Sequence, residues 1–235
     1  MFSHHEYKLG WGRSKANQAY KALKKLVVYC EVPPCTRLDA ITISNVLDTS
    51  ITPVREALIQ LETEKYIVSC GNGYYTQKLE VKKLADHFDF IKMVLTHAFR
   101  ENLYEHSKFV MLPSWDDYYL ISEFLESFCE SVAEATKNDR MRHCVHESNI
   151  RTRYVRWLDL QRPERLSRLS RIRGDASELL ELLDRGDKDG AIANIDRQFS
   201  AVINTIPELV LEGNDRAGNT KESWLQTLSS NWAES

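Results

Sequence analysis

The chain has 235 residues and 27.3 kDa, with 31 Lys+Arg against 34 Asp+Glu for a formal charge of −3; 43% of residues are hydrophobic and 28% charged. That is globular composition with room for two modest domains, and it excludes collagen-like and disulfide-scaffold classes. No apolar run approaches the roughly 20 residues that a membrane-crossing helix needs, and MFSHHEYKLGWGRSK lacks the apolar core of a secretory signal, so a cytoplasmic chain with no membrane partner is expected.

In chain order, KANQAYKALKKLVVYC (15–30) places Ala16, Tyr20, Leu23 and Val27 at helical spacing, and Glu-Val-Pro-Pro stops it. A second helix is predicted over 39–47, capped by Asp39, with Ala40, Ile43 and Leu47 on one face. Asp48-Thr49-Ser50 breaks the chain before a third helix over 52–64, whose early Pro53 suits a first turn and whose apolar stripe is Val54, Ala57, Leu58 and Leu61. Lys65–Ser69 and Tyr74–Gln77 then read as strands flanking Cys70-Gly71-Asn72-Gly73, with Asn-Gly as the turn signal. Helix, helix–turn–helix and hairpin make a winged helix-turn-helix, a known way to offer one helix to a major groove.

From Val81 the pattern is helical throughout, over 81–106, 114–136, 139–160, 163–185 and 187–209, punctuated by Pro113, Asn138, Pro163 and Gly186-Asp187. Helices with short links make an antiparallel bundle. The expected fold class is therefore mainly α: a winged helix-turn-helix domain over 1–79, an all-helical domain over 80–210 and a tail over 211–235. In the tail, Trp224, Leu225, Leu228 and Trp232 have the spacing of a short docked helix. Charge is split in the same way, +3 over the first 79 residues and −6 over the rest.

Enzyme signatures are missing. The five cysteines (Cys30, Cys35, Cys70, Cys129, Cys144) form no C-x-x-C pair and read as reduced thiols. There is no H-E-x-x-H, phosphate-binding glycine loop or G-x-S-x-G, so no catalytic residue is assigned and no cofactor is expected. His143 and His146 read as surface or subunit-contact histidines. The arginines between Arg151 and Arg173 read as a solvated basic face paired with local acids, with a subunit contact or a carboxylate-holding pocket arginine as alternatives.

The stretch PPCTRLDAITISNVLDTSITPVREALIQLETEKYIVSCGNGYY resembles the DNA-binding domain of the GntR family of bacterial transcription regulators. That family writes Pro-Pro-Gly-x-x-Leu, Thr-Pro-Val-Arg-Glu-Ala-Leu, Leu-Glu and a Gly-x-Gly wing tip; here these fall on Pro33-Pro34-Cys35, Thr52 to Leu58, Leu61-Glu62 and Gly71-Asn72-Gly73. FCESVAEATKNDRM (128–141) is similar to the F-H-x-x-(I/L)-A-x-A-(S/T)-G-N-x-x-(L/M) of the family's all-helical FCD effector domain.

The resemblance implies a homodimer that binds a double-stranded DNA operator, with a small-molecule effector, organic acids among the candidates, held in the helical domain. Ser50, Thr52 and Arg55 at the third helix's start, with Asn72 and Gly73 at the wing tip, are the candidate DNA contacts. Ile51 and Ile41 stand where the family usually has arginines, so altered operator reading through thymine methyls is expected, with weak or lost specific DNA binding as the alternative. FCD domains often hold a divalent metal with one Asp and three His. Those positions fall on Leu125, Cys129, Ala176 and Gln198, and no metal site is expected. Lys92, Phe128, Cys129, Arg153 and Gln198 are the candidate effector contacts. The alternative is a degenerate regulator that senses no small molecule and acts through a protein partner.

Overall fold

A computed structural model of the chain describes residues 14–28, 31–103, 118–219 and 224–233. Cys30, Pro113 and the expected helical residues 104–106 and 114–117 lie outside these. The chain divides into two compact units, Met1–Leu79 with Glu212–Ser235, and Glu80–Leu211.

The first unit contains helix α1 (Lys15–Val28), strand β1 (Arg37–Leu38), helices α2 (Ala40–Val46) and α3 (Ile51–Thr63), and strands β2 (Ile67–Cys70) and β3 (Gly73–Thr76). Asp39 caps α2, accepting from the backbone N–H and the hydroxyl of Thr42 at 2.9 Å each. Those bonds hold its carboxyl below the usual carboxylate range. Asp48 takes φ +44, and Thr49 N–H returns to Ser44 O at 3.1 Å, so α2 turns sharply into α3. Val54, Ala57, Leu58 and Leu61 of α3 are fully buried against Ala19, Leu23 and Leu26 of α1 and Ile43 and Leu47 of α2.

The antiparallel sheet runs β1-β3-β2 and differs from expectation in detail. Two-residue β1 carries no sequence period. The hairpin's central pair is Gly71-Asn72 rather than Asn72-Gly73, because Gly71 supplies the positive φ (+59) and Gly73 already pairs with Cys70. The strands shift with it, to 67–70 and 73–76.

The last helix, α9 (Trp224–Ala233), completes this core. Trp224, Leu225 and Leu228 are buried in it, and Trp232 packs against it.

The second unit is built on α4 (Val81–Arg100), α5 (Tyr118–Ala135), α6 (Asp139–Leu160), α7 (Arg165–Asp184) and the greater part of α8 (Lys188–Asn219). α4 stops at Arg100, short of 106, because Asn102 turns left-handed (φ +56). Asn138 caps α6 through the N–H groups of Arg140 and Met141. Gly186 (φ +69) ends α7, with Asp187 N–H returning to Leu182 O at 2.9 Å. α8 passes exposed Pro207 and continues to Asn219, beyond the expected 209. A proline removes one ladder donor, and helical neighbours carry the chain past it. No helix among the described residues is long and apolar enough to cross a membrane.

Candidate functional site

Two places carry polar chemistry that the core does not need. The first is the outer face of α3. Its buried residues occupy one side, and Thr52, Arg55, Glu56, Ile59 and Thr63 are exposed on the other. At about 100° per residue, Thr52, Ile59 and Thr63 fall nearly in line, with Arg55 and Glu56 on either side. Ser50 is the N-cap residue, but its side chain makes no capping bond. The first-turn N–H groups therefore point outward beside two exposed hydroxyls, Ser50 and Thr52, which is an anion-binding arrangement. Arg55 has no hydrogen bond or ion pair among the described residues, so the alternative of a pair with Glu56, Glu62 or Asp48 is not realised. Ile41 on α2 is 60% exposed and Ile59 52%. Ile51 is half-buried, and Asn72 at the wing tip is exposed. A Cβ at Gly73 would lie 3.1 Å from the Tyr75 ring, so that position has little room for a side chain.

The far end of α3 is clamped. Tyr20 donates to Glu64 Oε1 and Oε2 at 2.8 and 2.7 Å, Lys24 to Oε2 at 2.8 Å and Gln60 to Oε1 at 3.0 Å. Lys24 also lies 4.7 Å above the Tyr66 ring. Burial pushes the Glu64 carboxyl up, but these donors more than offset it and its pKa falls. The clamp fixes the end of the helix whose other end presents Arg55.

The second place is a cavity of about 140 Å³ inside the helical unit. Its wall is mainly apolar, with Phe88, Ile91, Leu95, Phe124, Phe128, Leu179 and Phe199 among the lining residues. Phe90 and Val94 pack elsewhere, with Ala133 and Val145. Of the expected effector contacts, Phe128, Cys129 and Gln198 line the cavity. Lys92 does not: it pairs with Asp89 on its own helix at 3.2 Å. Arg153 is also not on the wall, and Arg156, one turn further along α6, takes that place.

The four positions that the resemblance makes metal ligands, Leu125, Cys129, Ala176 and Gln198, all line this one cavity. They do not fit a metal. Leu125 and Ala176 offer no donor atom, which leaves the Cys129 thiol and the Gln198 amide, too few for a metal. Asp175 on the same wall is already held by Arg197 at 3.1 Å.

Arg153, Arg156, Arg162 and Arg168 are not a solvated face, whereas Arg171 and Arg173 are exposed. Arg153 and Arg156 both bind Glu126 of α5; the side chains are 19%, 12% and 9% exposed. Arg168 binds Asp159, and Arg162 binds Glu208 at 3.0 Å. Burial pushes the Glu126 carboxyl up, yet the two guanidinium groups outweigh it and its pKa falls. The Nε of Arg156 is buried without a hydrogen-bond partner. His146 sits on the surface, 2.9 Å from Glu130, and His143 is exposed.

No family model matches the chain. The Nta operon transcriptional regulator of Aminobacter aminovorans is 24% identical over 195 residues, covering 76% of this chain and 90% of that protein. Among solved structures, a GntR transcriptional regulator from Rhodococcus sp. RHA1 aligns with a TM-score of 0.65 at 15% identity, covering 83% of this chain and 98% of that one. E. coli McbR/YncC aligns at 0.56 with 16% identity and the same coverages, 83% and 98%. The chain has the fold of the GntR regulators.

Within that GntR fold, two glycines of the family pattern are lost while their backbone conformation is kept. Cys35 stands at the glycine of Pro-Pro-Gly and has φ +60; Lys137 stands at the glycine before Asn138 and has φ +53. Both are residues whose Cβ makes that conformation costly. Cys35 is held there by its N–H bond to Thr76 O at 3.2 Å. Cys35→Gly should therefore stabilise the chain by about 1 kcal/mol in urea denaturation, reading the left-handed penalty against glycine's greater unfolded-state entropy. Of the arginines from 151 to 156, the one that lines the cavity is Arg156 rather than Arg153. Its spacing from Arg153 was visible, but which of the two reaches the cavity depends on how α6 is rotated against α5.

Proposed function

We propose that this chain is a transcription regulator of GntR type. It binds operator DNA as a cytoplasmic homodimer and responds to a small molecule held in its helical unit. The observation that carries the reading is the outer face of α3: exposed hydroxyls at a helix N-terminus, an unpaired Arg55 one turn in, and a fully buried opposite face. Ser50, Thr52 and Arg55 then contact phosphates and base edges, and Asn72 with Gly73 enters the neighbouring groove. One such module covers too little DNA for high affinity, which favours a dimer on paired half-sites. The curated relative is itself described as an operon's transcriptional regulator. The cavity favours ligand response over action through a protein partner alone, since a packed bundle needs no space of this size. A ligand acts by binding one of two dimer arrangements more tightly.

Exposed Ile41 and Ile59, with Ile51 between them in sequence, are apolar where a groove-reading surface is usually polar. They are assigned to thymine methyl groups. Fluorescence anisotropy on DNA from upstream of the chain's own gene tests both claims. Affinity should fall about 10³-fold or more from 50 to 200 mM salt if six or more phosphates are contacted. Replacing contacted thymines by deoxyuracil should cost about 0.8 kcal/mol, or roughly fourfold, per methyl removed, and Ile41→Ala should abolish that difference at its own position. A flat salt response at low salt contradicts the regulator reading. Indifference to deoxyuracil contradicts only the isoleucine assignment.

A further inference from the structure

We propose that Arg37, a residue of neither the groove-reading helix nor the wing, is the cation that carries the wing into a minor groove, and that it selects half-sites with A·T-rich flanks. The proposal rests on the reading of this unit as DNA-binding and adds to it a residue and a base preference.

Charge is the first observation. Residues 67–76, which form β2, the turn and β3, contain no Lys, Arg, Asp, Glu or His. With α3 in a major groove, the groove beside it is a minor one, about 6 Å wide. The small tip Gly71-Asn72-Gly73 suits that width but brings no charge to walls lined by phosphates. Lys65 and Lys78 lie beyond the Ile67–Thr76 pair, at the open end of the hairpin. The four residues of β2, at about 3.4 Å each, separate that end from the tip.

The second observation is geometric. β1 lies against β3 with Arg37 opposite Tyr75 and Leu38 opposite Tyr74. Leu38 is buried, so alternation turns Arg37 outward, on the face shared by Tyr75 and Gly73. A Cβ at Gly73 would lie 3.5 Å from Arg37 Nε, 3.1 Å from Tyr75 Cε2 and 3.4 Å from the Tyr75 hydroxyl. Arg37 therefore leans from its own strand position toward the tip, beside the Tyr75 ring. Gly73 is not among the residues with positive φ, so glycine serves there to leave space.

The guanidinium is available. Arg37 pairs with Asp39 at 3.7 Å, and the two side chains are 61% and 38% exposed. A pair so open to water contributes little. Thr42 binds the other oxygen of Asp39, so Asp39 stays in place as the cap of α2 when Arg37 turns to DNA. A narrow A·T-rich minor groove concentrates negative potential and draws an arginine into it. A G·C pair instead puts the guanine amino group on the groove floor, where it obstructs the guanidinium.

Fluorescence anisotropy of the full chain tests the proposal, on the operator footprinted in the DNA upstream of its own gene. The base pairs flanking the α3 contacts are made A·T, G·C or inosine·C. Inosine·C keeps the major-groove edge of G·C but lacks the amino group in the minor groove. The A·T and inosine·C duplexes should bind alike. The G·C duplex should bind at least about fivefold more weakly, the low end of what one base pair is worth. Arg37→Gln should bind all three equally. Arg37 is exposed and loosely paired, so the variant is expected to keep the urea midpoint of the unaltered chain. The three duplexes on the unaltered chain form a second test that needs no variant.

No flank preference, G·C and inosine·C flanks that bind equally, or a preference that survives Arg37→Gln overturns the proposal. If Arg55→Ala still weakens binding in those cases, the DNA-binding reading stands without it. Upstream DNA that does not bind at all overturns both.

Discussion

Glu126→Gln should destabilise the helical unit by about 3–5 kcal/mol in urea unfolding, the cost of removing one member of a buried ion pair. Glu126 is the shared counter-ion of Arg153 and Arg156, and a neutral amide leaves two buried guanidinium groups facing each other across it. Because the Glu126 carboxyl titrates lower in the folded chain than in the unfolded one, its stabilisation is fully present above the unfolded carboxylate range. It disappears as pH falls through the folded value. Unaltered chain should therefore lose stability steeply below about pH 4, and Glu126→Gln should lose less over the same interval. Equal acid sensitivity in both proteins would show that Glu126 is not the group responsible.

Leu228→Ala should cost the first unit about 2–5 kcal/mol, as for other fully buried leucines. Leu228 is wholly buried in the core formed by α1, α2 and α3, although it lies near the C-terminal end of the sequence. The winged helix-turn-helix of this chain is completed by α9, so ending the chain after Asn219 should be more damaging still, since Trp224 and Leu225 go too. DNA affinity and the urea midpoint of this unit, followed by far-ultraviolet circular dichroism, should fall together. Truncation that leaves the midpoint unchanged would mean that α9 contributes no stability.

Local signals were the legible ones. The Thr-Pro-Val-Arg-Glu-Ala-Leu start of α3, the stripes of α1 and α3, the cap at Asp39 and the break at Asn138 are short-range features that a sequence displays directly. Strand β1 was invisible because two residues carry no period, and it exists only through pairing with β3. The left-handed turns at Cys35 and Lys137 were hidden because the residues that usually mark them had been replaced. Arg153, Arg156, Arg162 and Arg168 are withdrawn from the solvated face expected of them. The partners of three of them lie far along the chain, Glu126 being 27 residues from Arg153 and 30 from Arg156, and Glu208 46 from Arg162. Side-chain pairing across helices has no periodic signature, so the sequence shows the charges but not their direction. The convergence of positions 125, 129, 176 and 198 on one wall could be expected from the resemblance; the nearby Arg156 Nε could not.

The central claim is that the exposed start of α3 reads DNA, and Arg55→Ala tests it most directly. Anisotropy titrations over a salt series would compare it with the unaltered chain and with Arg173→Ala, an exposed arginine on α7 of the other unit. The account predicts that Arg55→Ala weakens operator binding by about 1–3 kcal/mol if it contacts a base, or makes the salt slope shallower by about one if it contacts a phosphate. Arg173→Ala should match the unaltered chain. Arg55→Ala with unchanged affinity and unchanged slope would contradict the account.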